Sequence, residues 1–219
     1  MDILETIVES TVHVRFDFKK QLTKDDLGHI VAEAFPGAKE VTAGHQSNAQ
    51  DSGMPAPLPG VLITTGNLSL FFASDKCVVT YKGRMLKDCF LETALMNLKR
   101  VIEASNPTGV ILLSYCEKSI KPVSSLGVLD VRMDGFDLID DNHTTIYRAP
   151  DSGAFVQVEK RCMSRKENPS QKGVCVEVEA VIQPLKADKT NLFEATGNQL
   201  GELRTCVRKG LDANMRILA

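Results

Sequence analysis

Val8-Glu9-Ser10-Thr11-Val12-His13-Val14-Arg15-Phe16-Asp17-Phe18 is the stretch from which the fold follows. Val8, Val12, Val14 and Phe16 alternate with Glu9, Thr11, His13, Arg15 and Asp17. A period of two predicts a strand with one apolar and one polar face. Such a strand needs a layer packed on its apolar side, and the residues downstream supply one. Thr23 is placed to cap a helix and Asp25 and Asp26 suit its positive end. Leu27, Ile30, Val31, Ala34 and Phe35 form its apolar stripe before Pro36-Gly37 stops it.

The span from Gly44 to Gly60 carries Gly, Pro, Ser, Asn, Gln and Asp with almost no large apolar residue. It reads as a long flexible loop, either a tolerated insertion or a flap that binds a partner. Val61 to Thr65, Leu68 to Ala73 and Cys77 to Tyr81 read as strands, with Gly66-Asn67 and Ser74-Asp75-Lys76 as the turns between them. Asp88 is a candidate cap for the clearest helix, whose apolar positions are Leu91, Ala94, Leu95, Leu98, Val101 and Ile102; Asn106-Pro107 ends it.

The second half opens with the strand Gly109 to Lys118. Val128 to Met133 and Phe136 to Ile139 are weaker strand candidates. Phe155 to Met163 and Val174 to Gln183 read as strands joined by a polar loop over 164–173. A last helix starts near Asn191, with Leu192, Thr196, Leu200, Leu203, Val207, Leu211 and Met215 on one face. Gly197, Gly201 and Gly210 each weaken it by about 1 kcal/mol relative to Ala, so docking of the stripe must hold it in place. The expected fold is α+β, mainly antiparallel sheet with about three packed helices. It forms one compact unit of two similar halves, 1–106 and 107–219, with 44–60 as the flexible loop.

With 219 residues, 43% hydrophobic and 25% charged, the chain has ordinary globular composition, and a net charge of −2 argues against a nucleic-acid coat. Met1-Asp2-Ile3-Leu4-Glu5 lacks a basic n-region, so no signal peptide is expected. The longest aliphatic run, Val110 to Leu113, is far short of a membrane span. Cys77, Cys89, Cys116, Cys162, Cys175 and Cys206 show neither CxxC nor zinc-ligand spacing, and are expected as free buried thiols in a reducing cytosol.

Ile7-Val8-Glu9 with the alternation after it, Phe35-Pro36, and Val110-Ile111-Leu112-Leu113-Ser114-Tyr115 carry a resemblance. The chain resembles an uncharacterised, sporadically distributed prokaryotic family. In that family an opening Val-Glu-Ala-type strand and a later Leu-Arg-Tyr strand recur; Ser114 stands where the Arg is expected. The resemblance implies a two-halved α+β protein from a mobile-element or phage-defence setting. It supplies no catalytic residues.

The chemistry begins with absences. The sequence contains no GxxxxGK[ST], GxGxxG after a strand, GxSxG or HExxH. His13, His29, His45 and His143 are not spaced with one another for a metal. Asp130, Asp134, Asp137, Asp140 and Asp141 form an acidic stretch interrupted by Arg132, which fails the EF-hand pattern and reads as turn-forming residues between short strands. No catalytic residue, metal ligand or cofactor is assigned.

Charge is nonetheless segregated. Lys160, Arg161, Arg165, Lys166 and Lys172 face only Glu167 within 160–172, a net +4, whereas 130–141 carries a net −4. Such patches steer partners and seat subunits, although a solvated hairpin tip is the plainer reading. Without an aromatic residue in that loop, single-stranded nucleic acid is not expected there. His13, Arg15 and Asp17 share one strand face; Gln157, Glu159 and Arg161 alternate on another, and Glu177 and Glu179 on a third. If those strands are neighbours, one sheet face is a ladder of opposite charges. The expected function is therefore binding without catalysis: a protein-interaction or assembly component of a cytosolic complex, self-associating or with a protein partner. The basic hairpin and the terminal helix are the expected contacts. The alternative is a small-ligand or nucleotide-binding protein, or a weak hydrolase, using His13, Arg15 and the acidic positions of the sheet face.

Overall fold

The computed structural model describes residues 7–37, 42–43, 60–83, 89–123, 137–142, 144–150, 152–164, 172–183 and 191–217. Its first half holds β1 (Ile7–Asp17), α1 (Lys24–Ala34), β2 (Thr42–Ala43), β3 (Gly60–Thr65), β4 (Leu68–Ala73), β5 (Lys76–Lys82) and α2 (Cys89–Ser105). The second half holds β6 (Gly109–Val123), β7 (Asp137–Asn142), β8 (Thr144–Arg148), β9 (Phe155–Ser164), β10 (Lys172–Ile182) and α3 (Leu192–Ile217). The fold is α+β.

The ten described strands join one sheet in the order β2-β3-β4-β5-β1-β6-β10-β9-β8-β7, and every pairing among them is antiparallel. β1 and β6 meet at the centre. Outward from β1 run β5, β4, β3 and β2; outward from β6 run β10, β9, β8 and β7. The same strand order is thus traced twice, with the seam between the halves at β1 and β6. Residues 44–59, most of the predicted loop, lie outside the described residues, and Gly60 opens β3.

Local chemistry explains the element ends. Thr23 Oγ1 accepts from the Asp26 backbone at 3.2 Å, and Asp26 Oδ2 accepts from the Thr23 backbone at 2.8 Å. This reciprocal cap holds the Asp26 carboxyl below its usual range. Gly66 takes φ +58° at the first position of the two-residue β3–β4 turn, where a positive φ favours glycine. Asn106, at φ +46°, donates its backbone N–H to Ile102 O and closes α2 before Pro107.

The alternation of β1 sets the two faces of the sheet. Val12, Val14 and Phe16 point to a helical layer, where they join Leu113, Tyr115, Val176 and Val178 in one hydrophobic core that spans both halves. The Phe90 ring of α2 packs between Tyr81 and Tyr115. The α3 stripe read from the sequence is buried from Leu192 to Met215, and Arg208 of α3 reaches β6. Leu95 of α2 lies against Gly197 of α3. The apolar side of the terminal helix is therefore packed on its own sheet, and only its polar side faces outward. No helix among the described residues is long and apolar enough to cross a membrane.

Three further expectations change. β6 continues past Lys118 to Val123. β8, which the alternation did not reveal, supplies five residues between β7 and β9. Asp137, Asp140 and Asp141 belong to strand β7 at the sheet edge, not to a turn. Asp130, Arg132, Asp134 and His143 lie outside the described residues, as does Val128 to Met133.

Candidate functional site

The second face of the sheet carries no described helix, and the register arranges its side chains in rows that run across the strands. One row is ionic: Lys82, Glu9, Lys118, Glu177 and Glu159 stand opposite one another on β5, β1, β6, β10 and β9. Lys118 Nζ lies 3.5 Å from Glu9 and 3.2 Å from Glu177, and Lys82 Nζ lies 3.8 Å from Glu9. Burial disfavours the Lys118 charge, but Glu177 and Glu9 outweigh it and hold its pKa above the ordinary value. Glu177 and Glu159 are like charges in register. Arg161 grips Glu159 in a two-pronged contact at 2.6 and 2.7 Å, which lowers the Glu159 pKa.

A second row, two residues along each strand, is polar and largely uncharged: Ser69, Thr80, Thr11, Cys116, Glu179 and Gln157. Burial and then Glu177 and Glu179 push the Cys116 thiol pKa upward, so it is a poor nucleophile. The third row is mainly apolar: Leu62, Phe71, Val78, His13, Ser114, Val181 and Phe155. At ~4.8 Å per strand it spans about 29 Å. Gly60 makes room for the Phe71 ring, which lies where a Cβ would stand, and Lys76 caps that ring at 5.5 Å. Leu62 is 36% exposed and Phe155 49%; beyond the ionic row Ile120 is 36% exposed.

The predicted charge ladder therefore exists and keeps Glu177 and Glu159, but its other members differ. β1 and β9 are separated by β6 and β10, so His13 and Arg15 do not meet Glu159 or Arg161. Glu9, Lys118 and Lys82 are its missing rungs; their signal was the polar parity of each strand, but only the strand order reveals it. Arg15 is bound to Asp75, both Nε and an Nη lying 3.0 Å from Oδ2. His13 is half-buried, and burial, then Lys76 and Arg15, hold its pKa below 6.5, so the imidazole is neutral at neutral pH. Its Nε2 has no hydrogen-bond partner. Ser114 stands opposite His13, but the carboxylate whose field reaches His13 is Asp75, already held by Arg15. The relay of a hydrolase is not assembled among the described residues.

The basic hairpin also divides. Lys160 and Arg161 are successive residues of β9 and point to opposite faces, so they do not form one patch. Lys172 begins β10, opposite Ser164 and Val123. Arg165 and Lys166 lie outside the described residues. Of the cysteines, Cys77 is buried and its thiol pKa is pushed up to about 12, whereas Cys89 is exposed, against the expectation of burial. No group of three His, Cys, Asp or Glu residues among the described ones is placed to hold a metal.

Under the sheet lies a polar cluster that sequence reasoning missed. Glu117 of β6 is fully buried. It accepts from Arg208 Nε at 2.8 Å, from an Arg208 Nη at 2.8 Å and from the Tyr115 hydroxyl at 2.7 Å. Burial and the carboxylate raise the Tyr115 pKa, keeping the hydroxyl a donor. The Glu117 signal was parity: it shares a face with Leu113 and Tyr115. Its function is to tie α3 to the central strand.

No protein-family model matches the chain, and no curated protein sequence matches it. The class of protein is thus defined by its architecture: an α+β sheet protein with helices on one face and a striped second face that carries no helix among the described residues.

Proposed function

We propose that this chain is a non-catalytic interaction or assembly component that docks a protein partner on the striped second face of the sheet. The observation that carries this reading is the apolar row from Leu62 to Phe155, running beside an ion ladder on a face without a described helix. The apolar row supplies area to bury, and the ladder supplies orientation and discrimination between partners. His13 and Arg15 belong to this face, but through packing and an ion pair with Asp75, which favours docking over the small-ligand, nucleotide or hydrolase alternative. A cytosolic site of action, and the mobile-element or phage-defence setting that the family resemblance implies, belong to the same reading.

A photocrosslinking residue at position 155 tests it, with one at the exposed Glu202 of α3 as control. The expected result is a discrete adduct from position 155 in cells, lost when Leu62 and Ile120 are both changed to Asp. Absence of an adduct at 155, or an equal adduct from 202, refutes the reading. Light scattering at low and high salt then tells a second copy from a different protein.

A further inference from the structure

On the helical side, the C-terminal ends of α1 and α2 converge over β3 and β4. A cleft of about 660 Å³ opens between them and adjoins a smaller one of about 280 Å³. Phe35, Ile63, Thr65 and Arg100 line both. Leu68 and Leu70 extend the floor, and the exposed Met96 stands at the edge. The floor is thus apolar and wide enough for a small-molecule body.

The rim is electrically unusual. Neither α1 nor α2 has a basic residue in its last turn, although a helix C-terminus carries about half a negative charge and favours cations. Instead Glu33 and Glu103 line the cleft beside those two ends. Glu33 has no ion-pair partner among the described residues. Glu103 has Lys99 at 3.9 Å, a pair in which both side chains are more than half exposed and which is correspondingly weak. Arg100 is the one cation among the described lining residues, and it stacks over Phe35 at 5.8 Å. Arg100 and the neighbouring Lys99 thus stand against two carboxylates and two helix ends, so the helix ends leave the described rim a negative excess beside an aromatic face. That combination suits an ammonium group attached to an apolar body.

We propose that the cleft between the C-terminal ends of α1 and α2 binds a small organic cation with an apolar body, the ammonium near Glu33, Glu103 and Phe35 and the body on Ile63, Leu68 and Leu70. The site is on the opposite side of the sheet from the docking face and stands independently of it.

The probe is hexyltrimethylammonium, titrated into the full chain while amide resonances are followed by NMR, with hexanoate and hexanol as controls. Saturable shifts centred on Gly37, Thr65 and Arg100 are expected for the ammonium and not for hexanoate, and binding should tighten roughly threefold to fourfold per added methylene. Glu33→Gln with Glu103→Gln should weaken binding by about tenfold or more, as two nearby charges are removed. Arg100→Leu is the discriminating variant. Removing the like charge should tighten the ammonium several-fold, whereas a site built for anions would lose binding. Arg100 is exposed, so this change leaves folding intact. Thr65→Trp, at an exposed position, should block the cleft. Equal binding of hexanoate, weaker ammonium binding in Arg100→Leu, or no saturable shift with any chain length would each overturn the proposal.

Discussion

Arg208→Met isolates the buried tie beneath α3. In the parent chain the Arg208 side chain is 24% exposed and Glu117 is wholly buried, joined by three hydrogen bonds of 2.8 to 3.1 Å. The variant leaves a buried carboxylate with the Tyr115 hydroxyl, 2.7 Å away, as its remaining side-chain donor among the described residues. Breaking a buried pair from one side costs about 3–5 kcal/mol; partial exposure of Arg208 puts the expected loss at the lower end, about 3 kcal/mol. For a chain of this length that lowers Tm by roughly 6–12 °C. Replacing the whole set by apolar residues (Glu117→Leu, Arg208→Met and Tyr115→Phe together) removes the charge, its partner and the hydroxyl. That triple variant should lie within about 1 kcal/mol of the parent. Urea denaturation with a constant m-value measures both. A loss below 1 kcal/mol in Arg208→Met, or a triple variant less stable than the single one, refutes the reasoning.

Other expectations follow from single positions. Gly201 of α3 has no atom within 4 Å of the place a Cβ would occupy, so Gly201→Ala should stabilise by about 0.5–1 kcal/mol in thermal denaturation. Gly60→Ala should destabilise instead, because its Cβ would meet the Phe71 ring. Because the folded-state pKa of His13 lies below 6.5, the unfolded chain binds its proton first. Stability should therefore fall as pH drops through 6.5 toward the depressed folded value, and His13→Gln should flatten that part of the urea-midpoint profile; an unchanged profile counts against a desolvated His13. Lys118→Ala should cost about 0.5–1 kcal/mol at low salt and less in 1 M NaCl, since its two ion pairs are partly solvated.

Much of the scaffold was legible because local patterns and tertiary packing agree. Thr23 caps the helix it was expected to cap, Asn106-Pro107 closes α2, and the stripe from Leu192 to Met215 is the buried face of α3. β8 escaped because Thr144-Thr145-Ile146-Tyr147-Arg148 is short and lacks a clean alternation; it is held by β7 and β9 on its two sides. The striped second face of the sheet was half legible. Polar parity was visible along each strand, but strand order and register decide which charges meet, so Arg15 found Asp75 and Lys118 found Glu9 and Glu177. The tie of Glu117 to Arg208 spans 91 positions in sequence, and no local signal pairs them. The cleft was hidden for a similar reason: Phe35 closes α1 and Arg100 belongs to α2, and their meeting depends on how the two helices pack.

The central seam has a consequence for the history and handling of this chain. β1 and β6 are each the innermost strand of their own half, and they supply the antiparallel backbone hydrogen bonds that join the two halves of the sheet. Cut apart near Pro107, either piece would present a long unsatisfied ribbon whose best complement is the other piece. The same geometry lets two intact molecules trade halves with every native pairing preserved, so a reciprocal exchange dimer is the natural misassembly of this architecture, and a two-fragment reporter its natural engineering use.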